Sequence, residues 1–131
     1  MKNLVPLAAR ILISAIFLMS GVGKIMDPAG TQQYMAAYGM PFTGFFLLGA
    51  IALELGGGLS LLLGYKTRWG AIALVIFLIP TTLIFHTKFS DRVQAIMFMK
   101  NLAILGGVLM TGYFGPGPLS LDARTASREK Q

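Results

Sequence analysis

Four side chains stand where an apolar sequence would ordinarily have none: Arg10, Glu54, His86 and Lys100 each interrupt a long hydrophobic stretch. Ionisable groups are expensive in hydrocarbon, so one that sits inside a membrane segment marks either a pairing or a reaction. A carboxylate can accept and donate protons. A cation can stabilise charge that develops on an oxygen. The single histidine is the one side chain here that ordinarily titrates near neutral pH. Glu54, His86 and Lys100 therefore form the candidate catalytic set. One acid against Arg10, Lys100 and the rim residue Lys24 suggests a positive pocket that opens outward and suits an anionic or electron-rich oxygen.

Depth orders these groups. At about 1.5 Å per helical residue, Glu54 lies about 18 Å and Arg10 about 21 Å below the outer boundary, Lys100 lies about 10 Å down, and His86 and Lys24 sit near the rim. Arg10 is then the depth-matched partner of Glu54 in a structural ion pair. Such a pair can fix the packing of two helices without doing chemistry. Lys100 has no evident carboxylate, and it can snorkel to the interface as readily as serve a site.

The elements that must hold these residues are legible as apolar runs at residues 4–23, 41–63, 68–86 and 93–114, each near the ~20 residues that cross ~30 Å of hydrocarbon. The 131-residue chain is 55% hydrophobic and only 12% charged, against about 25% charged in soluble domains, which identifies a polytopic membrane protein of one domain spanning residues 1–131. The first run competes with a signal peptide. Its length, its Arg10 and the lack of a small-residue cleavage site before Lys24 favour a retained helix. The expected fold is all-α: a four-helix integral membrane bundle, up-down-up-down, with a short external interfacial helix after the first span.

The net charge of +6 does not point to nucleic acid, because the basic residues lie at the ends of hydrophobic runs rather than in one soluble patch. With the N-terminus inside, Lys2, Arg10, Lys66, Arg68, Arg124, Arg128 and Lys130 fall toward the inner face, and Lys24, Lys88 and Arg92 toward the outer. The positive-inside rule then places both termini in the cytoplasm of a bacterial-type inner membrane. With no cysteine in the chain, disulfides, CxxC redox chemistry and iron–sulfur ligation are excluded.

Asp27 followed by Pro28 reads as an N-cap and first helical residue, opening a short helix that stops at Gly39 and Pro41. Tyr34 and Tyr38 share one face of it, as interfacial anchors or as a lid over a cleft. Arg10, Ser14, Phe17, Gly21 and Lys24 form one stripe on the first span. Glu54 shares its face with Ala50, Gly57 and Gly58, small residues that allow close helix approach, so it points inward. Asn101 lines up with Gln94 about 100° from Lys100 and addresses a different neighbour. Pro80 bends the third span, with Thr81 and Thr82 placed to repair it. After Phe114 a Gly-Pro-Gly-Pro string ends the last span, and residues 123–131 read as a solvated, mobile tail.

The strings FLMSGVGKI (17–25), ELGGGLSLLLGYKTR (54–68), FH (85–86), FMKNLAILGG (98–107) and SLD (120–122) resemble the DoxX family of small four-helix membrane proteins, nearly end to end and in order. The resemblance implies that Lys24, Glu54, His86, Lys100 and Asn101 occupy the family's recurrent polar positions. It also implies a link to quinol oxidase or other quinone-linked oxidoreductase subunits. Lys24, Tyr34, Tyr38 and Asn101 are accordingly the expected ligand-binding residues.

One histidine cannot supply both axial ligands of a haem b, and GGG at 56–58 lies inside a span and serves packing rather than dinucleotide binding. No intrinsic metal or flavin is expected. The redox reading therefore calls for a lipid-soluble quinone from the bilayer and a protein partner or homo-oligomer that handles the electrons. It expects Glu54, His86 and Lys100 to line one cleft open to lipid. A noncatalytic membrane adaptor or assembly subunit of a redox or stress-response complex remains the alternative, and expects the same groups to pair with one another and leave no cleft. A small transporter is disfavoured by the lack of repeat symmetry and of a continuous polar lining.

Overall fold

The computed structural model describes residues 2–131, and every regular element in it is a helix: α1 (Leu4–Met26), α2 (Pro28–Ala37), α3 (Thr43–Leu63), α4 (Thr67–Phe85), α5 (Arg92–Phe114) and α6 (Leu121–Glu129). α1, α3, α4 and α5 are each long and apolar enough to cross a membrane. They run up-down-up-down, with α1 packed on α3, α3 on α4, α4 on α5, and α5 closing back on α1. One end of the bundle carries the start of α1, the α3–α4 turn and α6. The other carries α2 and the α4–α5 connection.

Short connections enforce this antiparallel order. Gly64 at φ +64° accepts the left-handed turn between α3 and α4. α2 begins as its sequence dictates, with Asp27 Oδ1 accepting from the Gly30 N–H at 3.0 Å and Pro28 in the first turn. The helices approach closely where side chains are absent. A methyl group at Gly21 would lie 2.6 Å from Leu55 Cδ2, and one at Gly57 would lie 2.6 Å from Leu74 Cγ. Gly56, between two packed turns, faces outward with nothing within 4 Å.

Two cores result. Phe17, Leu61, Ala71, Leu74, Leu78 and Val108 fill the middle of the bundle, and Met35, Leu47 and Phe85 form a smaller core beneath α2. Outward faces keep large apolar residues exposed, among them Leu12, Met19, Phe45, Ile76 and Met110, as hydrocarbon as solvent requires. Thr81 and Thr82 donate to the carbonyls of Phe77 (2.8 Å) and Leu78 (2.7 Å), the two that follow the Ile76 carbonyl that Pro80 leaves without its usual donor.

Residues 123–131, expected as a solvated, mobile tail, are mostly helical: through Glu129 they belong to α6, none of whose residues is buried. Ser120 Oγ caps it by accepting from the Ala123 N–H at 3.2 Å, and Asp122 in the first turn and Arg128 in the last complement the helix dipole. The Gly-Pro-Gly-Pro string ends a span without ending the fold.

Candidate functional site

A cavity of about 1120 Å³ opens in the half of the bundle beneath α2. Its floor is polar. Lys24 Nζ contacts Glu54 Oε1 at 2.9 Å and Oε2 at 3.2 Å, and also donates to Ser20 Oγ at 2.8 Å. Ser20 in turn donates to Glu54 Oε1 at 3.1 Å. Glu54 is 1% exposed, and the Lys24 side chain 18%, so the carboxylate is sealed in protein while the ammonium borders the cavity. The ammonium also lies 5.7 Å from the centroid of the Phe77 ring, within cation–π range.

The expected Arg10–Glu54 pair is therefore corrected to Lys24–Glu54, and the reason is the lean of helical side chains. Cα–Cβ bonds tilt toward a helix's N-terminus, so both long cations on α1 reach about one turn below their own Cα atoms. Lys24 comes down past Ser20 to Glu54. Arg10 leans away from Glu54 toward the other end of the bundle, where Nη1 donates to the carbonyls of Leu61 and Leu62, both at 3.0 Å, and Nη2 donates to the carbonyl of Leu119. A guanidinium that satisfies the last carbonyls of α3 acts as a helix C-cap supplied from another helix.

Asp122 performs the converse service for α4. Its carboxylate accepts from the Lys66 N–H (2.7 Å), the Thr67 N–H (3.0 Å) and the Thr67 hydroxyl (2.8 Å), while its own N–H donates to the Gly64 carbonyl at 2.8 Å. Burial alone would push this carboxyl up. The donors of Thr67 and Lys66 and the nearby Arg10 charge outweigh it and hold Asp122 below the usual carboxylate range. In the sequence, Asp122 stands out only by its place in the SLD string. Ser-x-Asp directly after a Gly-Pro break was its only local signal.

The walls and roof of the cavity are aromatic. Tyr34 stacks on Phe85 with ring centroids 5.2 Å apart, and Tyr38 meets the same ring edge-on at 5.0 Å. Burial, then the hydrogen bond and charge of Tyr38, push the Tyr34 phenol up to about 12. His86 lines the cavity from the end of α4, with Nδ1 bonded to Gln94 Oε1 at 2.9 Å. With the amide oxygen accepting, Nδ1 is the donor of this contact. Asn101 Nδ2 donates to Thr82 Oγ1 at 3.0 Å, so Gln94 and Asn101 both zip α5 to α4, as their shared face foretold. Phe45, Ile76 and Ile84 line the cavity and remain exposed, so the space is open rather than enclosed.

Of the predicted site residues, Lys24, Tyr34, Tyr38, Glu54, His86 and Asn101 share this one cavity. Lys100 does not. It lines a separate groove on the outer face of α5 with Arg92, so its expected place beside Glu54 and His86 is corrected. α5 leans on α4 through Gln94 and Asn101, and that rotation carries Lys100 outward. Ser20, Phe77 and Phe85 complete the site and were not predicted. Ser20 could have been found, since it lies one turn below Lys24 on the same helix.

Comparison with known proteins agrees with this architecture. The DoxX family model matches residues 5–87, which include the Lys24–Glu54 floor and His86. The chain is 48% identical over 116 residues to inner membrane protein YqjF of Escherichia coli strain K12, covering 88% of each chain. It is 34% identical over 123 residues to inner membrane protein YphA of the same strain, covering 90% of this chain and 88% of the relative. No solved structure matches it. A four-span bundle with these matches over most of its length belongs to the DoxX family.

Proposed function

We propose that the protein binds a lipid-soluble quinone in the cavity beneath α2 and handles its protons, as the membrane subunit of a quinone-linked oxidoreductase. The observation that carries this reading is an open cavity with aromatic walls, set among the membrane-spanning helices, whose floor is a buried Lys24–Glu54 pair. A planar ring fits against Tyr34, Tyr38 and Phe85. Its oxygen meets Lys24, the more exposed member of the floor pair. A cavity of about 1120 Å³ holds a substituted ring and the first units of an isoprenoid chain, and is slightly larger than the ~300–1,000 Å³ usual for small-ligand sites.

Within that reading Glu54 holds and passes the protons that quinone reduction consumes, and Lys24 stabilises charge on the quinone oxygen. His86 Nε2 is a second proton acceptor at the mouth. Within this reading the electrons come from a partner redox protein. The charge rule further puts the end bearing Lys2, Lys66, Arg68, Arg124, Arg128 and Lys130 in the cytoplasm.

The adaptor reading is favoured by a different observation: Lys24 pairs with Glu54, His86 with Gln94 and Asn101 with Thr82, as in a bundle held together by its polar groups. Titration of the detergent-purified protein with a short-chain ubiquinone analogue, followed by quenching of intrinsic fluorescence or by calorimetry, separates the two. Saturable binding weakened at least tenfold by Lys24→Met and by Tyr34→Ala supports the quinone site. Glu54→Gln should leave affinity nearly intact and impair partner-dependent turnover. No binding by folded protein gives the adaptor.

A further inference from the structure

Among the described residues, Lys100 is a cation without a counter-ion. The Lys24–Glu54 contact is the only ion pair among the described residues. Lys100 is exposed on α5, two turns and about 12 Å along the axis from Arg92, with both on one face. Between them runs a groove of about 440 Å³ lined by Ala95, Ile96, Met99 and Ala103. α5 starts at the α2 end, so the Lys100 side chain leans toward its own N-terminus and toward Arg92. A guanidinium at the rim and an ammonium rising to meet it thus flank the head of a groove whose continuation is apolar.

We propose that this groove is a binding site for an anionic phospholipid, with its phosphate held between Arg92 and Lys100 and an acyl chain laid along Met99 and Ala103. A headgroup carrying negative charge matches the two cations, and the ammonium's depth matches the phosphate-to-acyl boundary rather than open water.

The chain's own acids argue against a second copy in this place. Glu54 is committed to Lys24, and Asp122 to Lys66 and Thr67 at the opposite end. Asp27 and Asp91 cap α2 and α5 at the rim, where Asp91 Oδ1 accepts from the Val93 N–H at 3.0 Å. Glu129 lies on α6, also at the opposite end. A second α5 laid over the first would set another Arg92 and Lys100 against these cations, with the capping Asp91 as the one acid at that end of the helix. The site is separate from the cavity beneath α2 and does not depend on the quinone reading.

The test places a reporter in the groove. Trp69, the only tryptophan, sits on α4 at the far end and is replaced by Phe, and Met99→Trp is introduced. The protein is reconstituted at high dilution in phosphatidylcholine vesicles containing either brominated phosphatidylglycerol or brominated phosphatidylcholine at equal mole fraction. The expected result is stronger quenching by the anionic lipid. Relative affinity should fall roughly fivefold for each of Arg92→Gln and Lys100→Gln. Lys100→Arg should retain the preference, and circular dichroism establishes that each variant is folded. Equal quenching by the two lipids, or a preference unmoved by the double variant, overturns the proposal. So does a dimer in the same vesicles whose formation requires Arg92 and Lys100, since it would assign the groove to a second copy.

Discussion

Removing one member of the Lys24–Glu54 pair leaves the other stranded, and the geometry sets the size of the effect. At 2.9 Å, and with an effective dielectric constant near 20, two unit charges attract by about 5–6 kcal/mol, from which several kcal/mol of desolvation must be subtracted. Each of Lys24→Met and Glu54→Leu should therefore destabilise the bundle by about 3 kcal/mol. The double variant should cost about the same as either single one, since it strands nothing. The coupling energy is then about 3 kcal/mol. Glu54→Gln, which can still accept from Lys24 and Ser20, should lie between wild type and Glu54→Leu. Equilibrium unfolding in mixed dodecylmaltoside and SDS micelles, followed by circular dichroism, measures all four corners of the cycle. The control is a second cycle on Arg10 and Glu54. Arg10 bonds to carbonyls at Leu61 and Leu62, seven or more residues and about 10 Å along α3 from Glu54, so those two substitutions should add to within about 0.5 kcal/mol. Additivity for Lys24 and Glu54 together with strong coupling for Arg10 and Glu54 would refute the reasoning.

Gly56→Ala should be neutral or stabilising by up to about 1 kcal/mol, whereas Gly57→Ala one residue later forces a methyl into Leu74 and should cost about 1–3 kcal/mol in the same unfolding assay. Asp122→Asn should lose about 1–3 kcal/mol at neutral pH by weakening the α4 cap and removing the charge beside Arg10. Because the folded-state pKa of Asp122 is lowered, its contribution is present above the ordinary carboxylate value of about 4 and is lost as pH falls through the lower folded value. The stability difference between wild type and Asp122→Asn should accordingly be flat above about pH 5 and shrink in acid. Single cysteines at Gln33 and Ser127, on α2 and α6 at opposite ends, should react with a membrane-impermeant thiol reagent from opposite sides of intact cells, with Gln33 outside. Labelling of both from outside would refute the orientation.

The spans, the short helix after the first span, its Asp27 cap and the inward face of Glu54 were all legible in the sequence, because each follows from local periodicity or a local cap. Partner choice was not. Depth counted along helix axes puts Arg10 level with Glu54, but a side chain of several ångströms that leans toward its helix N-terminus moves a charge by a full turn, which suffices to exchange Arg10 for Lys24. The azimuth of α5 was half legible: the Gln94–Asn101 face was right, and Lys100 had to turn away as a consequence. α6 was missed because proline and glycine after Phe114 announce the end of a helix and say nothing of what Ser120 and Asp122 reach across space to cap.

The locking of Arg10 and Thr67 by residues 119–122 has a consequence for how the bundle is made. Synthesis proceeds from α1, so Arg10 enters the bilayer more than a hundred residues before Leu119 and Asp122 leave the ribosome. Until they arrive, a guanidinium in the first span and the backbone donors at the head of α4 lack part of their satisfaction. Cotranslational insertion thus yields a nearly formed bundle that the last-made contacts complete.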